Sequence, residues 1–167
     1  MGGLAIAAYR FAMYAVAATA VLGARGTRID RRVLRGSLGG GIALGVDVAL
    51  FFSAVKLTSV ANATVIGALQ PVVVAIMANR VFGEVIRPRD LALGAVAIAG
   101  VAVVVVNGAA EAPTDWRGDL LAVGALFAWS GYFVMSKRAQ QHLTTNEYTV
   151  GAAIWVAAIN APLALAF

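Results

Sequence analysis

Cysteine is absent from the 167 residues, so disulfides and thiolate metal sites are excluded. Histidine occurs once, at His142, and a single imidazole builds neither a metal centre nor a Ser/His/Asp set; its place between two apolar spans fits a solvated loop. No glycine-rich loop ending in Lys-Ser or Lys-Thr is present to cradle phosphate, which argues against ATP-driven work by this chain. No other enzyme motif appears, and no cofactor is implied. Charge is scarce as well. Charged residues are 13% of the chain against 61% hydrophobic ones, too apolar for a domain of this length whose whole surface must be wetted by water.

What is present is a succession of long apolar runs. Six can be drawn: Gly3 to Leu22, Leu38 to Val55, Val60 to Asn79, Leu91 to about Ala110, about Gly118 to Met135, and Tyr148 to Phe167. Each has about 18 to 20 residues, which at 1.5 Å rise spans a bilayer's hydrocarbon layer. Period-2 alternation is missing and Ala, Leu, Val and Gly dominate, so these runs predict helices instead of barrel strands. The fold class expected is all-α, a polytopic transmembrane helix bundle of about six spans. Arg10 lies inside the first run and five more follow, which excludes a signal peptide.

The net charge of +5 is spread between spans and forms no dense basic domain, so nucleic acid is not an expected partner; membrane lipid is. Basic residues report orientation instead. Arg25, Arg28, Arg31, Arg32 and Arg35 precede the second span, Arg80, Arg87 and Arg89 the fourth, and Lys137 and Arg138 the sixth, while the alternate loops hold only Lys56 and Arg117. The positive-inside rule puts the richer side in the cytoplasm.

The third span carries a polar stripe. At about 100° per residue, Ser59, Asn62, Ile66 and Gln70 share an arc of roughly 80°, with Thr64 on the far side and Pro71 interrupting the helix. An unpartnered amide in hydrocarbon costs about 2 kcal/mol or more, so this face is expected to meet other helices or a wet cavity. Pro71 is open to a simple kink, and Asn62 and Gln70 to helix-to-helix bonding.

The order Thr58, Ser59, Ala61, Ala63, Leu69, Pro71 and then Glu84 resembles the fourth transmembrane helix of EamA-type transporters of the drug/metabolite transporter superfamily. Tyr9 to Ala15 resembles the Arg-Phe start of that family's second helix. Gly118-Asp119-Leu120 followed by Ala128-Trp129-Ser130-Gly131-Tyr132-Phe133 resembles the opening helix of its second repeat. The resemblance implies part of an inverted repeat of five plus five helices, with residues 1–110 forming the first repeat without its first helix and 118–167 the first two helices of the second. The chain would then be a fragment or a truncated reading frame, joined at Asn107 to Arg117, where Gly, Glu, Pro and Asp cluster. The function implied is secondary transport in the inner (plasma) membrane, exporting or exchanging a small-molecule solute such as an organic metabolite or drug-like compound. A non-transporting membrane protein or inactive fragment is the alternative. A small multidrug exporter acting as a homodimer is less apt, because no glutamate lies in any span.

Candidate substrate-binding residues are Arg10, Asp47, Asn62, Gln70, Trp129 and Tyr132. Arg10 and Asp47 are the formal charges deep in proposed spans, about 10 and 12 Å below the outer interface, close enough in depth for an ion pair or a solute site. Trp129, Tyr132, Phe133 and Ser136 share one face of the fifth span, and Tyr148 and Trp155 one face of the sixth, where they suit organic or cationic solutes or act as interfacial anchors. Gly36/Gly40 and Gly41/Gly45 are small-xxx-small pairs that predict close helix packing. Glu84 is expected to anchor a loop, with Arg87 or Arg89 as its partner.

The loop charges generate a direct test. A reporter fused between Gly26 and Asp30 reads cytoplasmic and one near Ala112 reads external; the reverse pattern would overturn the topology.

Overall fold

The structure is a computed structural model and describes residues 3–108 and 115–166. Most of the expected join between repeats, including Ala112, and the last residue of the sixth span, Phe167, lie outside the described residues. Among the described residues there are seven helices and no strand: α1 (Gly3–Ala24), α2 (Arg31–Ala54), α3 (Val60–Gly67), α4 (Gln70–Phe82), α5 (Pro88–Gly108), α6 (Trp116–Ala139) and α7 (Thr145–Ala166). Each of the six apolar runs forms helix, which pairs backbone donors and acceptors internally as hydrocarbon demands. Four stretches, Ala5–Ala24, Arg31–Ala54, Val60–Phe82 and Trp116–Ala139, are long and apolar enough to cross a membrane.

The helices outrun the apolar runs on the side expected to be cytoplasmic, and polar caps explain why. Asp30 Oδ1 accepts from Val33 N–H at 3.0 Å, so α2 starts seven residues before Leu38. Thr144 and Glu147 form a capping box at α7: Glu147 Oε2 accepts from Thr144 N–H at 2.8 Å, and Thr144 Oγ1 from Glu147 N–H at 3.3 Å. The Thr144 N–H, then its hydroxyl, hold the Glu147 carboxyl below its ordinary 4.5, with Arg32 adding to the effect from 3.6 Å. At α5, Asp90 Oδ2 accepts from Arg87 N–H at 3.1 Å, with Pro88 at the first helical position. Gly83 closes α4 at φ 67°, a left-handed conformation that glycine adopts at no steric cost.

The chain divides into two units. The first comprises Met1–Ala49 and Met135–Phe167. Helix α7 packs extensively on α1 and lies against the glycine face of α2. Gly40 lies against the Tyr148 ring and hydroxyl, Gly41 against Trp155, and Gly45 against Ile159. From the other side of the contact, Gly151 of α7 abuts Ser37. The small-xxx-small pairs are thus a packing seam, as their spacing predicts. Trp155 Nε1 donates to the Leu34 carbonyl at 2.9 Å across the same seam. Tyr148, open to a reading as an interfacial anchor, is instead 1% exposed, because the missing side chain at Gly40 leaves room for its ring.

The second unit is Leu50–Val134. Ala54, Ala63 and Ala122 are its buried centre, covered by Phe51, Val55, Ile66 and Leu121. Helix α5 packs on both α3 and α4. The third expected span is broken: α3 ends at Gly67, a turn occupies Ala68 and Leu69, and α4 restarts at Gln70 with Pro71 in its first turn. Proline has no N–H to continue the ladder, and Val72 N–H instead reaches the Leu69 carbonyl three residues back, at 3.1 Å.

Candidate functional site

In the second unit, a polar chain begins at the loop before α3. Ser59 Oγ caps that helix by accepting from Asn62 N–H at 3.0 Å. The Asn62 side chain donates from Nδ2 to Thr58 Oγ1 at 3.5 Å, and Thr58 Oγ1 donates to Asp119 Oδ1 of α6 at 2.7 Å. Backbone contacts brace this link: Asp115 N–H donates to the Leu57 carbonyl at 3.1 Å, and Gly118 is so close that a Cβ there would stand 2.7 Å from the Thr58 nitrogen. The loop from Leu57 to Thr58 is therefore seated on the start of α6 through a glycine that only a residue without Cβ can supply.

The polar stripe faces the protein, as its spacing predicts. Asn62 and Ile66 are half-buried, Ile66 against the alanine centre, and Gln70 is half-buried at the helix restart. Thr64 is exposed; its hydroxyl bonds back to the Val60 carbonyl at 2.7 Å, and it lines an apolar groove with Val60, Ala61, Ala68 and Ala97. About ten residues beyond Asp119 along α6, roughly 15 Å of rise, sits the aromatic cluster. Trp129 and Phe133 are 6.3 Å apart between ring centroids, and Tyr132 meets Phe133 edge-on at 5.5 Å. Trp129 keeps 39% of its surface exposed.

A groove of about 680 Å³ runs between α4 and α5, lined by Pro71, Val72, Ala75 and Ile98, with Glu84 and Asp90 at its edge. Glu84 was expected to act as a loop anchor. Its backbone carbonyl accepts from Asn79 Nδ2, a contact separate from the expected pairing with Arg87 or Arg89.

Arg10 and Asp47 belong to the first unit and are not brought together. Arg10 is exposed on α1, its guanidinium 5.2 Å from the centre of the adjacent Phe11 ring. Asp47 is 9% exposed on α2, and among the described residues no ion pair joins it to Arg10; Arg32 pairs with Glu147 at 3.6 Å. Similar depth in the membrane did not suffice, because Arg10 projects away from the packed side of α1 onto its own neighbour's ring.

The pairing of Thr58 with Asp119, and the role of Asn160, escaped the reading of the sequence, although Thr58 and Asp119 were each named in the resemblance. Thr58 and Asp119 are 61 positions apart, and nothing local marks them as partners. Asn160 was signalled only by being an amide in an apolar run; it is fully buried and donates from Nδ2 to the Gly45 carbonyl at 3.2 Å and to the Val156 carbonyl at 3.1 Å. His142 is exposed in the loop before α7, and no cluster of metal-ligating side chains occurs among the described residues.

The Thr58–Asp119 bond can be tested by a double-mutant cycle in unfolding experiments. Thr58→Val and Asp119→Ala each lower stability by about 1–3 kcal/mol, and the double variant costs less than their sum; strictly additive losses would contradict the bond.

The profile of the EamA-like transporter family matches residues 1–106, which cover α1 to α4 and most of α5. None of the curated proteins and none of the solved structures compared matches the chain. Apolar helices of membrane-spanning length, a broken and polar third span and this match over more than half of the sequence agree: the chain is a membrane protein that belongs to the EamA-like transporter family of the drug/metabolite transporter superfamily.

Proposed function

We propose that the protein is a secondary transporter that exports or exchanges small organic metabolites or drug-like solutes across the cytoplasmic membrane. The observation that carries this reading is the break in the third span. In carriers built from repeats, interrupted helices place polar groups and helix ends at mid-membrane depth, where irregular backbone is tolerated only beside protein or a water-filled cavity. Here Gly67 to Pro71 supply such a break, with Asn62 one helical stretch before it and Gln70 at the restart.

In this proposal Asn62 and Gln70 offer hydrogen bonds to the solute, and Trp129 and Tyr132 offer aromatic faces for an apolar or cationic body. Arg10 and Asp47 provide charge in the other unit, and each acts separately. Residues 1–110 belong to the first repeat and 118–167 open the second. With no phosphate-binding loop in the chain, an ion gradient or counter-solute supplies the driving force.

Cysteine labelling tests the cavity, since the chain has no native thiol. Single cysteines at Asn62 and Gln70 react with a water-soluble thiol reagent in membranes, whereas one at Thr64 does not. Equal labelling at all three positions, or none at any, would reduce the stripe to a packing role.

A further inference from the structure

The first unit gathers positive charge at one end. Arg25 and Arg28 lie in the link from α1 to α2, Arg31, Arg32 and Arg35 in the first turns of α2, and Lys137 and Arg138 in the last turn of α6, all of them exposed. The α6–α7 loop ties these segments together: Leu143 lies against Gly36 of α2, and Arg32 meets Glu147 of α7 at 3.6 Å. The acidic residues of this end, Asp30 and Glu147, are both committed to capping helices, Asp30 at α2 and Glu147 at α7. Arg25, Arg28, Arg31, Arg35 and Arg138 have no ion-pair partner among the described residues. A polar depression of about 530 Å³ opens in this surface, lined by Arg32, Gln140, Gln141, His142 and Thr145, with Glu147 at its base. The Glu147 carboxylate is 12% exposed and already takes the Thr144 N–H, the Thr144 hydroxyl and Arg32. Arg32 is 63% exposed, and a single ion pair leaves most of its five N–H donors open. Depth completes the picture. Arg32 stands six residues before Leu38 and Thr145 three before Tyr148, where the apolar runs begin, so along the helices they lie about 9 and 5 Å outside the hydrocarbon. A headgroup layer is about 5–8 Å thick, which puts the depression at headgroup level.

We propose that this depression binds the headgroup of an anionic phospholipid, with the phosphodiester held by Arg32 and by the N–H and O–H donors of Gln141, His142 and Thr145. A guanidinium fork matches two phosphate oxygens, and the surrounding arginines attract anionic lipid to the surface before the fork engages it. Glu147 does not repel the guest strongly, because its charge is already spread over three donors. A soluble phosphate ester offers the same oxygens. The position at headgroup level, directly above two apolar helices, favours a ligand that carries its own acyl chains. The site requires only that the chain lie in a membrane, so it stands apart from the transporter reading.

The test is binding of tail-labelled phosphatidylglycerol to the purified full chain in uncharged detergent micelles, with tail-labelled phosphatidylcholine as the reference. Saturable binding about tenfold tighter for phosphatidylglycerol is expected, and added salt weakens it. Arg32→Gln removes most of that preference and Arg32→Lys retains it. Arg25→Gln deletes the same charge from the same surface but outside the depression, and changes affinity less than about twofold. Thr145→Val, nearly isosteric, weakens binding without altering charge. Thermal unfolding of each variant separates lost binding from lost fold. Equal losses from Arg25→Gln and Arg32→Gln would mean diffuse attraction to the surface and overturn the site, as would equal affinity for the two lipids. Displacement of the labelled lipid by an equal concentration of glycerol phosphate would show that the guest is soluble, and would overturn the assignment to lipid.

Discussion

The approach of α2 to α7 through glycine is the contact on which the first unit depends. A helix pair in hydrocarbon gains nothing from excluding water, so it is held by close packing and by hydrogen bonds that close packing permits. Gly40, Gly41 and Gly45 clear the surface of α2 for Tyr148, Trp155 and Ile159. Only at that separation can Trp155 Nε1 reach the Leu34 carbonyl and Asn160 Nδ2 the Gly45 carbonyl.

The second unit solves a related problem differently. Its polar groups are concentrated at a helix start and a helix break, the two places where backbone donors and acceptors are already free. Ser59, Asn62, Thr58 and Asp119 form a bonded chain at the start of α3, while the turn at Ala68 and Leu69 precedes Pro71. Gly118 lets the Leu57–Thr58 backbone sit directly on α6, which fixes the donor of Thr58 against Asp119. Further along the same helix, Trp129, Tyr132 and Phe133 form a cluster of aromatic rings.

Much of this was legible in the residues because hydrophobic runs and glycine spacing are local signals. The six runs predicted the helices, the 100° stripe predicted which face of α3 turns inward, and Gly36/Gly40 and Gly41/Gly45 predicted a close helix contact. What failed were properties of pairs. Arg10 and Asp47 matched in depth but not in direction, since the helix rotation that decides direction is set by tertiary packing. Tyr148 fell near a span end, where an aromatic residue usually anchors at the interface; the cleft left by Gly40, more than a hundred residues earlier, decided otherwise. Helix ends were also longer than the apolar runs, because Asp30 and Thr144 cap them from polar sequence that hydropathy ignores.

The claim that glycine-permitted contact of α2 with α7 organises the first unit is tested most directly by thermal unfolding of Gly41→Ala beside Gly131→Ala. A Cβ at Gly41 meets the Trp155 side chain, including Cγ at 3.0 Å, whereas one at Gly131 of α6 meets nothing within 4 Å. Gly131→Ala is expected to leave the midpoint unchanged or raise it, since alanine is favoured over glycine within helices by about 1 kcal/mol. Gly41→Ala is expected to lower it by several degrees, as about 1–3 kcal/mol of overpacking outweighs that gain. Equal midpoints for the two variants, or a rise with Gly41→Ala, would contradict the account.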